Sequence, residues 1–107
     1  MNNATPPLPA ELLAIRTQID RLDEQLITLL GQRFALTNKV GEIKRDHHLP
    51  PADKSREQAQ FMRLTKLATE HGVDVELAHD IFRRIIATVI TRHERLRASG
   101  QGKRGVK

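Results

Sequence analysis

Apolar residues recur through residues 9–45 at alternating steps of three and four, at Leu12, Ile15, Ile19, Leu22, Leu26 and Leu29. This is the spacing of one buried face of an α-helix. The alternation next falls on Arg33, then resumes at Leu36, Val40 and Ile43. A guanidinium set into an apolar stripe is expensive to desolvate unless an anion meets it. Asp20, Arg21, Asp23, Glu24 and Gln25 fall on outward faces and read as solvated surface, as does Lys39.

Helical geometry relates the cations to one another. At about 100° and roughly 1.5 Å per residue, Arg33 and Lys44 return to nearly the same face about 16 Å apart, so their side chains can converge on one small ligand. Arg16 also borders the seam, but it lies about 25 Å and roughly 100° from Arg33, too far to serve the same site within one straight helix. A second copy packed antiparallel would bring its own Arg16 toward the Arg33 and Lys44 of the first. The pattern therefore points to a dimer.

The helix is expected to stop within residues 46–51, where Pro50 and Pro51 force extended backbone. His47 and His48 lie in this break, and two adjacent histidines with no second ligand pair make a poor metal site. Asp53 or Ser55 caps a second helix to about His71, Ser55 with Gln58 fitting a capping box. Phe61, Leu64, Leu67 and Ala68 form its apolar face, and Gly72 is the expected stop. Asp74 then caps a third helix to roughly Leu96, with a face of Ala78, Phe82, Ile85, Ile86, Val89 and His93. The fold class is thus all-α, with a long, a short and a medium helix and no strand signal.

Length sharpens the dimer argument. The chain of 107 residues is one domain. A compact monomer of this size has a radius of gyration near 13 Å, whereas a helix of about 36 residues is roughly 54 Å long. Either the helix breaks at Gly31 or Gly41, or another subunit covers its far end. Glycine costs only about 1 kcal/mol in a helix interior and can mark a close backbone approach, so the helix is read as continuous.

Composition removes several alternatives. The chain is 38% hydrophobic and 29% charged, which suits a folded helical domain. There is no cysteine, hence no disulfide framework and no thiolate metal site. Residues 1–10 have neither a basic nor an apolar targeting region, and no run is long enough to span a bilayer, so the cytoplasm is the expected location. Of the net charge of +5, residues 1–91 contribute nothing, with twelve Lys/Arg against twelve Asp/Glu, while residues 92–107 carry six against one. The excess is confined to the end of the chain. The organisation expected is a flexible leader at 1–9, a helical domain at 10–96 and a basic disordered tail at 97–107. With three Phe and no Trp or Tyr there is no stacking platform, so a nucleic-acid-binding or interaction module is only the alternative of another class.

The ordered strings Leu13-Ala14-Ile15-Arg16, Ile19-Asp20, Leu22-Asp23, Leu29-Leu30-Gly31-Gln32-Arg33 and Val40-Gly41-Glu42-Ile43-Lys44 resemble the all-helical chorismate mutase family. So do Pro50, Asp53, Arg56-Glu57, Gly72-Val73-Asp74 and Ile81-Phe82-Arg83-Arg84-Ile85-Ile86. The resemblance covers about residues 10–96. It implies an intertwined homodimer of three-helix protomers, each site using both chains, and a Claisen rearrangement of chorismate to prephenate on the route to phenylalanine and tyrosine. It implies no metal or cofactor. By the same resemblance Arg33 and the partner's Arg16 hold the two substrate carboxylates, and Lys44 contacts a carboxylate and donates to the ether oxygen. Arg56 adds positive charge, while Asp53, through its backbone, and Glu57 engage the ring hydroxyl. A chain of this length leaves no room for a fused second enzyme, so a monofunctional mutase is expected.

Two positions depart from the family pattern. Val89 stands where a serine is frequent, and His93 where a glutamine donates to the ether oxygen. Valine suits the apolar face. Imidazole donates from one nitrogen when neutral and from both when charged, and an unperturbed imidazole changes charge near pH 6.5, roughly, so turnover is expected to fall above neutrality. The departures leave open two relatives on the same scaffold, an isochorismate pyruvate lyase and a mutase of 4-amino-4-deoxychorismate.

Overall fold

The computed structural model describes residues 6–105, with side chains described through residue 100. It holds three helices, α1 (Ala10–Asp46), α2 (Lys54–Glu70) and α3 (Val75–Gly105), and no strand among the described residues. Of the leader expected at 1–9, residues 1–5 lie outside the described residues and residues 6–9 are not helical. Pro9 starts α1 by accepting from the Leu12 and Leu13 N–H groups at 3.1 and 3.2 Å, a role that needs only its carbonyl.

Both helix stops have the same hydrogen-bond signature. The Leu49 N–H donates to the Lys44 carbonyl at 2.8 Å and the His48 N–H to Arg45 at 3.2 Å, with His48 at φ 57°. The Val73 N–H donates to Ala68 at 2.8 Å and the Gly72 N–H to Thr69 at 3.4 Å, with Gly72 at φ 69°. These are Schellman motifs, in which one left-handed residue lets two N–H groups close over the last turn. Gly72 is the stop the sequence predicts. The end of α1 precedes the prolines instead, because His48 has already turned the chain.

The choice between Asp53 and Ser55 is settled for Asp53. Its carboxylate accepts from the Arg56 N–H at 3.0 Å and its carbonyl from the Glu57 N–H at 3.0 Å, while Ser55 lies inside the helix. Replacing Asp53 by alanine is expected to destabilise the fold by about 1 kcal/mol. The check is a lower urea midpoint with an unchanged slope at fixed protein concentration.

The chain divides into two compact units, Met1–Phe34 and Ala35–Lys107. In the first, Ile15, Ile19, Leu22, Leu26 and Leu29 are between 49% and 60% exposed. The apolar seam read from the sequence is therefore on the surface of this chain. In the second unit α2 packs on α3 through the predicted faces, with Ala68 and Ile85 buried and Phe61, Leu64, Leu67, Phe82 and Val89 half-buried. The Phe61 ring meets His79 edge-on at 5.1 Å, and Arg83 lies 5.8 Å above it.

α3 runs to Gly105, past the end expected near Leu96, so residues 97–105 of the basic stretch have helical backbone, and residues 106–107 of the expected tail lie outside the described residues. The physical reason is contact with α1. A Cβ on Gly100 would lie 2.6 Å from Arg45 Cδ, and one on Gly41 would lie 2.9 Å from Leu96 Cδ1. The two helix ends meet at Gly41 with Leu96 and at Arg45 with Gly100.

Candidate active site

Three consecutive turns of α1 carry the site face of the second unit. Thr37, Gly41 and Lys44 stand at i, i+4 and i+7, so they line one side of the helix. His93 of α3 meets this face. It is 3% exposed, and its Nε2 lies 2.8 Å from the Thr37 carbonyl. A carbonyl only accepts, so Nε2–H is the donor. Nδ1 is buried with no hydrogen-bond partner. The ring is thus not the helix-end imidazole that a stop at Leu96 suggests. It is packed against α1 at Thr37 and Gly41, one turn after the half-buried Val89.

Lys44 is half-buried, and its ammonium donates to the Pro51 carbonyl at 3.0 Å. That bond ties the α1–α2 connection back to α1. Asp53, Arg56 and Glu57 follow it directly, Arg56 exposed and Glu57 half-buried. The Asp53 backbone carbonyl, expected to meet a ligand hydroxyl, already accepts the first hydrogen bond of α2 from Glu57. Lys44 and the start of α2 are thereby brought to one side of α1, with His93 reaching the same face from α3.

Arg16 and Arg33 belong to the first unit, Arg16 exposed and Arg33 half-buried. The helical register of α1 alone relates Arg33 to Thr37, one turn further on. Sequence reasoning did not single out the Thr37 and Pro51 carbonyls, because backbone acceptors leave no mark in residue type. Gly41 did leave one. Of the two glycines considered as close approaches, Gly31 has nothing within 4 Å of a built Cβ, whereas Gly41 is covered by His93 and Leu96.

The spacing of these residues has a counterpart in known proteins. Residues 15–94 match the family described as chorismate mutase type II. The chain is a member of that family. It is 36% identical over 76 residues to the chorismate mutase of Methanocaldococcus jannaschii, covering 71% of this chain and 77% of that protein. It is 39% identical over 77 residues to the T-protein of Enterobacter agglomerans, covering 72% of this chain and 21% of that one. It is also 39% identical over 75 residues to the bifunctional chorismate mutase/prephenate dehydratase of Escherichia coli K12, covering 70% and 19%. The chain thus spans about a fifth of the length of these two larger relatives. The matched region of this chorismate mutase family member contains every candidate site residue from Arg16 to His93. No helix among the described residues is long and apolar enough to cross a membrane.

Proposed function

We propose that this chain is a chorismate mutase that converts chorismate to prephenate in an intertwined homodimer. The observation that carries the reading is the α1 face with Lys44, seated beside the capped start of α2 and met by His93 from α3. The rearrangement makes one carbon–carbon bond and breaks one carbon–oxygen bond within a single molecule. It takes no nucleophile and leaves no covalent intermediate. Catalysis then consists of holding a flexible dianion in its reactive shape and meeting the charge that develops on the ether oxygen.

Each cation has a part in that task. Arg33 clamps one carboxylate with its planar fork, and the partner's Arg16 takes the other. Lys44, on the Arg33 side of α1 by helical register, contacts a carboxylate and donates to the ether oxygen. Glu57 accepts from the ring hydroxyl, aided by the Asp53 backbone, and Arg56 supplies positive potential at the mouth. Val89 closes the apolar wall.

The half-exposed leucines and isoleucines of α1 support the dimer. At about 25 cal/mol per Å² such a stripe is a substantial driving force for association. A second copy is the occupant that also brings an Arg16, which the first copy's α1 places too far from its own Arg33.

The deciding assay offers the purified protein chorismate, isochorismate and 4-amino-4-deoxychorismate side by side, with Arg33→Ala as control. Prephenate from chorismate is expected, with kcat/KM reduced by about a hundredfold or more in the variant. Pyruvate and salicylate from isochorismate as the dominant products would move the chain to the lyase reading. Preferred turnover of the amino compound would assign it to that mutase branch.

A further inference from the structure

Gly41 is the buried residue of α1, and what buries it is the His93 ring. A Cβ here would stand 2.5 Å from His93 Cδ2, 2.9 Å from its Nε2 and 2.9 Å from Leu96 Cδ1. No side chain larger than hydrogen fits without lifting the ring off the helix. That close approach brings Nε2 within 2.8 Å of the Thr37 carbonyl, one turn earlier on the same face. Leu96, one turn after His93 on α3, closes over the same glycine.

The chemical consequence lies in the hydrogen count of the ring. Neutral imidazole has one N–H, and here it is committed to a backbone carbonyl that cannot reciprocate. Nδ1 is left as a buried lone pair with no donor opposite it. Only imidazolium has a second N–H to give. We propose that Gly41 and the Thr37 carbonyl form a seat that fixes His93 as its Nε2–H tautomer, so that the ring donates to the bound substrate only when Nδ1 is protonated. The donation half of this statement rests on the mutase reading, while the seat itself does not. An amide at residue 93 would donate at any pH. The seated histidine instead makes donation depend on a proton.

Charged residues near His93 in the register of α1 and α3 are of both signs. On α1 Lys44 follows Gly41 by one turn, and on α3 Arg97 follows His93 by one turn. Glu42 lines one groove with Arg92 and Arg95, and Glu94 lines another with Arg97. Nδ1 is buried, so the proposed contact requires the groups around it to part when a substrate binds. Gly41 is then a positioning residue: it touches no substrate, and it sets which nitrogen is available.

The first test needs neither a variant nor activity. In the ¹⁵N-labelled protein at pH 8, long-range couplings from the ring protons distinguish the two His93 nitrogens. The Nε2–H form is expected, and an Nδ1–H form or an even mixture would overturn the seat. In turnover, kcat with chorismate is expected to fall about tenfold per pH unit on the alkaline side of its profile, and His93→Gln is expected to flatten that limb. An unchanged limb in His93→Gln would overturn the proton dependence. Gly41→Ala is expected to lower kcat about tenfold with His93 present but less than about threefold in the His93→Gln background, where only the flexible end of Leu96 has to shift. Equal losses in the two backgrounds would overturn the positioning role. No chorismate turnover at any pH would end the mutase reading, and the ring spectrum would still decide the seat.

Discussion

Replacing Lys44 by alanine is expected to lower kcat/KM for chorismate by about a thousandfold, with most of the loss in kcat. The ammonium is asked to do two things at once, to balance a carboxylate and to meet the ether oxygen as its bond breaks. The second exists only in the transition state, so its loss appears in kcat rather than in binding. Removing one preorganised donor of this kind costs about 3–4 kcal/mol in enzymes where it has been isolated. The effect on folding is much smaller. The Lys44 side chain donates to the Pro51 carbonyl, a bond worth about 1 kcal/mol net. The expected signature is therefore a nearly normal thermal midpoint with turnover almost gone. A loss of less than about tenfold would remove Lys44 from the ether-oxygen role.

Placing a glutamate at Leu26 is expected to convert the protein to a monomer and abolish activity. Leu26 is 59% exposed in this chain, so the substitution sacrifices little within it and leaves the α2–α3 contact untouched. Across a two-fold interface each substitution is met by its symmetry mate or a neighbour, and two buried carboxylates cannot both be satisfied there. Analytical ultracentrifugation reads the assembly state and circular dichroism the retained helix. A dimer that persists with full activity would show that this stripe is not the interface.

Mixing tests whether the sites are shared. Arg16→Ala and Lys44→Ala chains, each inactive alone, form a mixed dimer in which one site has both its lysine and its partner's arginine. At equal proportions the mixture is expected to recover about a quarter of wild-type activity, half the dimers being mixed and each having one intact site. No recovery despite subunit exchange would place Arg16 outside the partner's site.

The helices themselves were legible in residue order because their signals are local. The three-four alternation of α1, the Phe61–Ala68 and Ala78–Val89 faces and the Gly72 stop each follow from spacing along one element or from one residue's conformational preference. The cations of the candidate site were legible for a related reason. An arginine that interrupts an apolar stripe conflicts with burial, and such conflicts mark positions kept for a ligand or a partner. The reading went astray where the outcome depended on another element. α3 was expected to stop near Leu96 because the following residues are basic and glycine-rich, but packing of Gly100 on Arg45 favours continued helix.

What the sequence by itself determined is the helical architecture, the apolar stripe of α1 and the cations that interrupt or border it, all consequences of periodicity and charge. What only the tertiary structure decided is how those residues are held. Residue type says that His93 has two nitrogens, whereas the approach of α3 to Gly41 decides that Nε2 is committed to Thr37 and Nδ1 is not. Likewise the Lys44 ammonium is anchored by Pro51, a backbone acceptor from another segment. Hydrogen bonds to main-chain carbonyls leave no trace in composition or spacing, because every residue has one and only the fold brings a given carbonyl within reach.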